Sequence, residues 1–278
     1  MTSKNNYWQG KVALITGGSS GIGLAVARSL AGHGAQVWMI ARREAELQSA
    51  LDSAPCGPDQ FCGTISADVA DWEQVAAAVA QVEQEVGLPD LVVNSAGVVH
   101  PGYFQDLGLD LFRWMMEINY FGTVHVCKAV APGMIARGSG HIVNISSMGG
   151  LIGAYGYTAY GASKFAVTGF TDALRSELKP LGIGVSIVFP PDTETPQLEY
   201  ENQHKPPETK ALSENAGVKS AEEVAHEIIH QVERGRYTIM LGFESKFLYW
   251  LSRFLGSYKH NVVDWLVARA QRQNQRGE

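Results

Sequence analysis

Residues 11–24 read Lys-Val-Ala-Leu-Ile-Thr-Gly-Gly-Ser-Ser-Gly-Ile-Gly-Leu, a short apolar run that breaks into a glycine-rich turn. Lys11–Thr16 suits a strand buried on both faces, the environment of a parallel sheet covered by helices. A helical pattern follows from Leu24 to about His33. Gly17, Gly21 and Gly23 let the backbone approach a pyrophosphate, which the helix N-terminus can hold, with Ser19, Ser20 and Ile22 completing the loop. A glycine-rich turn alone is weak evidence. One set between strand and helix at the head of an alternating α/β pattern points to a bound dinucleotide.

Outward from that turn the alternation continues. The second strand, Gln36–Ala41, ends at Arg42-Arg43. An acidic residue that grips the adenosine ribose of NAD is expected about 20 residues past the glycines. Here that position is Arg42, a cation that can pair with a 2′-phosphate, so the expected cofactor is NADPH, with Arg43 assisting. A helix over 43–54 and a loop with Pro55, Gly57 and Pro58 lead to a third strand at 63–67, ending at Asp68-Val69. Asp68 either accepts a hydrogen bond from the adenine amino group or caps the next helix together with Asp71. After a helix over 71–86, the fourth strand (90–93) meets Asn94-Ser95-Ala96-Gly97. Ala96 and Gly97 are small enough to let the chain pass beside a cofactor, and Asn94 can also tie neighbouring strands.

A long apolar helix is expected over 107–137, interrupted at Pro132-Gly133 and carrying Asn119. A buried Asn needs partners: either a water-filled kink or a polar relay to a site, and both can hold. The fifth strand, His141–Ile145, ends at Ser146-Ser147. Thirteen residues past Ser147 comes Tyr160, and four further on Lys164, at the head of a helix reaching Lys179. At that spacing phenol and ammonium leave the same helix face. The lysine is expected to lower the phenol pKa from its reference near 10 toward the range where acid–base catalysis works best. Ser147 is close enough in sequence to set its hydroxyl beside the phenol. After the sixth strand, Ile183–Phe189, the segment Pro190-Pro191-Asp192-Thr193-Glu194-Thr195-Pro196 lies at the carboxyl edge, where open α/β sheets bind ligands. Residues 192–219 are polar and read as a mobile lid. A helix over 220–234, with a capping box at Ser220 and Glu223, and a strand over 237–241 follow.

Composition bounds these readings. The chain has 278 residues, 45% apolar and 18% charged, which describes a globular protein with a sizeable core. A net charge of −6 argues against a general nucleic-acid binder. Residues 243–278 run the other way, with six Lys/Arg against three Asp/Glu. The cysteines, Cys56, Cys62 and Cys127, are odd in number and form no CxxC, so reduced thiols and a cytoplasmic location are expected. The N-terminus has no apolar signal region, and no run approaches the roughly 18 residues of a spanning helix.

His226-Glu227-Ile228-Ile229-His230 matches the HExxH zinc pattern. With Val224, Ile228 and Val232 on the apolar side and no third ligand evident, no metal site is expected. Phe247, Trp250, Leu251, Phe254, Leu255, Tyr258, Val262, Trp265 and Leu266 are spaced as one helical face, with Lys246, Arg253, Lys259 and Arg269 between or beyond them. That face packs on the core or on a second subunit, or else lies in a membrane surface.

Together these pieces resemble the short-chain dehydrogenase/reductase family over about residues 8–242: TGGSSGIG from Thr16, NSAG from Asn94, Asn119, Ser147 and YxxxK at Tyr160 and Lys164. The resemblance implies a single Rossmann-type, doubly wound parallel sheet over 1–242, with 243–278 as an amphipathic helical extension. It implies a catalytic tetrad of Asn119, Ser147, Tyr160 and Lys164. Thr193 and Thr195 would then fix the nicotinamide carboxamide beside Pro190, and pairing through helices 107–137 and 157–179 would give a homodimer or homotetramer. FPPDTETP from Phe189, KPPET from Lys205 and TAYGASKFAVTGF from Thr158 are similar to the 3-ketodihydrosphingosine (3-dehydrosphinganine) reductases. That implies NADPH-dependent reduction of a long-chain keto-lipid in sphingolipid synthesis, with the C-terminal region as a candidate peripheral membrane contact. A steroid, retinoid or 3-oxoacyl reductase of the same family is the alternative.

Overall fold

The computed structural model describes residues 6–276, apart from 214–216, 243–244, 247–248, 251–253, 255 and 257. Its centre is a seven-stranded parallel sheet. The strands are β1 (Val12–Thr16), β2 (Gln36–Ala41), β3 (Gly63–Ser66), β4 (Leu91–Asn94), β5 (Gly140–Ile145), β6 (Ile183–Phe189) and β9 (Thr238–Met240). Two-residue strands β7 (Thr193–Glu194) and β8 (Lys219–Ser220) pair with each other outside it. The order β3-β2-β1-β4-β5-β6-β9 reverses between β1 and β4, which opens a crevice at the carboxyl ends of those two strands.

Alternating side chains of each strand feed two core layers. Ala13 and Ile15 face α1 (Gly21–Gly32), α2 (Glu44–Asp52) and α9 (Ala221–Glu233). Val12 and Leu14 face α3 (Trp72–Val86), α5 (Gly122–Arg137) and α6 (Thr158–Leu178). With both faces covered, all of β1 is buried, as its unbroken apolar run requires. Each fully buried aliphatic side chain contributes about 1.5–3 kcal/mol. The ends of α3 and α9 follow their sequence signals. Asp71 accepts from the Gln74 amide, and Ser220 with Glu223 forms the capping box.

Two expectations fail, and a third gains detail. The helix expected over 107–137 is α4 (Leu109–Met115), then a π-helical segment over Met116–Phe121, then α5, which runs unbroken through Pro132. The break falls at Asn119 because its side chain bonds outside the helix, as described below. Next, the described part of the lid is helical: α7 (Pro196–His204), capped by the Thr195 hydroxyl, and α8 (Pro207–Ser213), with Glu201, Lys205 and Thr209 buried. Its inward contacts are polar, in keeping with its low apolar content. Finally, Cys56 and Cys62 form a disulfide, leaving only Cys127 free. The Pro55–Gln60 loop folds back, with the Gln60 amide on the Gly57 carbonyl, so Cα atoms six residues apart stand 6.5 Å from each other. The bridge removes thiol content as an argument for a reducing compartment.

At the C-terminal end, α10 (Tyr258–Arg276) packs on α8. Trp250, Phe254, Tyr258 and Trp265 are each more than half exposed. Phe247, Leu251, Arg253 and Leu255 of the expected stripe, and the side chains of Lys259 and Val262, lie outside the described residues. No described helix is long and apolar enough to cross a membrane.

Candidate active site

The glycine turn after β1 closes on itself. Gly17 has φ +66°, and a Cβ there would sit 2.8 Å from the Ala96 backbone. A Cβ on Gly23 would meet the Gly17 carbonyl at 2.3 Å. Gly21 faces Thr195, whose Cγ2 lies 2.9 Å from a Cβ built there. Ser20 precedes α1 in extended conformation without capping it, so the first-turn amides keep no side-chain partner. That cradle fits a pyrophosphate: open backbone donors, a helix N-terminus and no side chain in the way.

From the cradle a cleft runs along the carboxyl edge of the sheet. Gly17, Ser19, Ser20, Gly21 and Ile22 line one end, with Arg42, Arg43, Asp68 and Val69 beside them. Ala96, Gly97, Tyr160, Lys164, Pro190 and Thr195 line the other. Arg42 is half exposed, its Nη1 3.8 Å from the Asp68 carboxylate, while Arg43 pairs with Glu46 at 3.0 Å. Asp71 alone caps α3; Asp68 closes a turn onto the Ala70 amide at 3.0 Å.

Two expected cofactor residues point elsewhere. Asn94 is buried in the sheet, its amide donating to Asn144 Oδ1 at 2.8 Å and to Cys127 Sγ at 3.4 Å. It ties β4 to β5 rather than lining the cleft. Thr193 is buried, with its hydroxyl donating to the Pro191 carbonyl at 2.8 Å. Thr195 does line the cleft, and its hydroxyl accepts from the Leu198 amide at 3.2 Å.

The four expected catalytic residues converge. Tyr160 and Lys164 rise from the first turns of α6, and Lys164 Nζ lies 5.7 Å from the Tyr160 ring centroid and donates to the Ile145 carbonyl at 3.0 Å. Ser147 accepts from the Gly149 amide at 3.1 Å. A Cβ on Gly149 would lie 3.6 Å from Ser147 Oγ and 3.8 Å from Tyr160 Cε1, so hydroxyl and phenol flank that glycine. The Asn119 side chain accepts from the Val98 amide at 2.7 Å and donates to the Val98 carbonyl at 2.9 Å and Ser163 Oγ at 2.8 Å. It clamps the loop after β4 onto α6. A Cβ on Gly97 would lie 3.3 Å from Asn119 Oδ1 and 3.5 Å from Lys164 Nζ, which brings all three together.

Burial, then the Glu201 carboxylate, pushes the Tyr160 phenol above its ordinary value, while hydrogen bonds with the Ser147 and Gln197 side chains pull it down. Burial drops Lys164 to about 8. The phenol is thereby held protonated, the state an acid needs before it donates to an oxyanion.

Glu201 is the residue that sequence reading missed. It accepts from the Tyr157 hydroxyl at 2.8 Å and from Gln197 Nε2 at 3.3 Å, and burial raises its pKa. Lys205, buried one turn on, pairs with Asp192 at 3.6 Å. The signal was present in the four-residue spacing of Gln197, Glu201 and Lys205 after Thr195-Pro196, a helix start. His226 and His230 stack on α9 with ring centroids 6.2 Å apart, and the described residues hold no cluster of metal ligands.

Comparison with known proteins agrees with this geometry. The family described as short chain dehydrogenase matches residues 11–206. The chain is 40% identical over 237 residues to the 3-dehydrosphinganine reductase of Danio rerio, covering 84% of this chain and 71% of that protein. It is 36% identical over 280 residues to the 3-ketodihydrosphingosine reductase of Dictyostelium discoideum, covering 94% and 83%. A short-chain dehydrogenase/reductase from Burkholderia phymatum, solved in complex with NAD, superposes with a TM-score of 0.76 at 27% identity, over 84% of this chain and 89% of that one. A nicotinamide cofactor is thus implied, and the chain belongs to the short-chain dehydrogenase family.

Proposed function

We propose that the protein reduces the ketone of 3-dehydrosphinganine to the alcohol of sphinganine, a step of sphingolipid synthesis, using NADPH. The observation that carries this is 36–40% identity, over most of the chain, to proteins named for that reaction, combined with the proximity of Ser147, Tyr160 and Lys164. A bound nicotinamide supplies the hydride. Ser147 and Tyr160 polarise the ketone by hydrogen bonding, and the phenol then gives its proton to the developing oxyanion. Lys164 holds the edge of β5 behind the phenol, and Asn119 fixes the loop that carries Gly97. The test is oxidation of NADPH with 3-dehydrosphinganine beside a steroid, a retinoid and a 3-oxoacyl ketone. The highest kcat/KM is expected for the first, and a higher value for any other favours the alternative.

NADPH rather than NADH rests on Arg42, a cation at the cleft end where the ribose 2′-position of a dinucleotide falls. Arg42→Ala is expected to lower the NADPH/NADH preference about tenfold or more, and an unchanged ratio refutes the assignment. Exposed Trp250, Phe254, Tyr258 and Trp265, in a region rich in Lys and Arg, support peripheral contact with the cytoplasmic face of a membrane, where a long-chain substrate would dissolve. Exposed Phe121 and Phe165, beside and on the helices expected to pair, support a homodimer or homotetramer.

A further inference from the structure

Helix α7 holds a buried carboxylate directly behind Gln197, a residue that lines the cleft. Glu201 is 9% exposed, and its two oxygens are met only by neutral donors, the Tyr157 hydroxyl at 2.8 Å and the Gln197 amide at 3.3 Å. Among the described residues it makes no ion pair. Lys205 engages Asp192 at 3.6 Å, and Lys164 is turned to the Ile145 carbonyl at 3.0 Å. Lys205 and Lys164 both feel the Glu201 charge, but among the described residues neither forms an ion pair with it, so that charge is left without a direct partner. A buried carboxylate in that condition is costly to keep. It is also awkward for catalysis, because its field holds the Tyr160 phenol back from giving up its proton. Both costs vanish if a cation arrives with the substrate.

The position of Glu201 suits such a cation. The Tyr157 ring meets Tyr160 at a tilt, with centroids 5.8 Å apart, and Gln197 touches both Glu201 and the cleft. Resting on the function proposed above, whose substrate carries an amine on the carbon next to its ketone, we infer that Glu201 receives the substrate ammonium. The ion pair selects an α-amino ketone over a plain ketone and fixes the carbonyl in register with Ser147 and Tyr160.

Two measurements test this. The first is the ratio of kcat/KM for 3-dehydrosphinganine to that for its des-amino analogue, 1-hydroxyoctadecan-3-one, in the wild type and in Glu201→Gln. The substitution keeps size and one of the two acceptor oxygens but removes charge. The ratio is expected to fall about 100-fold, the scale for losing one partner of a buried ion pair. An unchanged ratio, or a wild type indifferent to the amine, overturns the inference. The second is calorimetric binding of dodecylamine against dodecanol in the presence of cofactor, which needs no turnover. The wild type is expected to prefer the amine, and Glu201→Gln to lose that preference; equal binding of both ligands overturns the inference. A protein that binds the amine through Glu201 yet fails to reduce 3-dehydrosphinganine retains the ammonium site and loses only the proposed substrate.

Discussion

Tyr160 and Lys164 show how far burial reshapes an acid–base pair. Tyr160→Phe removes the proton donor without disturbing the cradle, so turnover is expected to fall about 10²–10⁴-fold while NADPH fluorescence still reports binding. Lys164, at about 8 in the folded protein, makes a pH statement. Its ordinary value is near 10.5, so between pH 8 and 10.5 the unfolded chain holds a proton that the folded chain has released. Stability therefore gains from this group as pH rises through that window, and the full penalty applies below it. Measured by urea unfolding, the stability of the wild type relative to Lys164→Met is expected to shift in favour of the wild type by about 3 kcal/mol from pH 8 to 10.5. An unchanged or opposite difference would mean the ammonium is not desolvated. Tyr160, Lys164 and Ser147 could be read from sequence because chemistry restricts which residue types serve there. Glu201 was harder to read: the spacing after Thr195-Pro196 marks a helix, but a glutamate in a polar segment looks the same whether it is solvated or buried. Asn94 was read with two roles, and its bond to Asn144 decided for strand tying.

At the scale of elements, the turn between β1 and α1 was legible because three glycines between a strand and a helix leave few alternatives. Gly23→Ala would drive a methyl onto the Gly17 carbonyl, which is backbone and cannot swing aside. Loss of cofactor affinity, with about 1–3 kcal/mol of stability, is expected by calorimetry and thermal unfolding. The π-helical segment was missed because proline is the louder signal, although the decisive group was an amide with three partners off the helix. The helices within the lid went unread for a related reason. Hydrophobic periodicity finds helices that bury carbon, whereas α7 and α8 bury Glu201, Lys205 and Thr209. The Cys56–Cys62 bridge closes a short loop between α2 and β3, outside the cleft lining. Its reduction is expected to cost about 2 kcal/mol, read as a lower Tm in dithiothreitol, with the kcat of the ketone assay retained.

For the whole molecule, alternation of strands and helices pointed to an α/β sheet and the family resemblance to a doubly wound one, while the strand order and its switch point come from the structure. The C-terminal region did not follow, because one aromatic stripe serves a core, a partner or a bilayer equally well. Replacing Trp250 and Trp265 by alanine is expected to reduce flotation with anionic vesicles several-fold while leaving turnover of detergent-dispersed ketone intact. Unchanged flotation would return those side chains to a protein interface. One thiol offers a different view of the same molecule. Cys127 lies sealed between Asn94 and Asn144, with burial pushing its pKa up to about 12. A maleimide can reach it only when α5 parts from the sheet, so the rate at which native protein is alkylated clocks how often the centre of the fold breathes open, with no engineered probe.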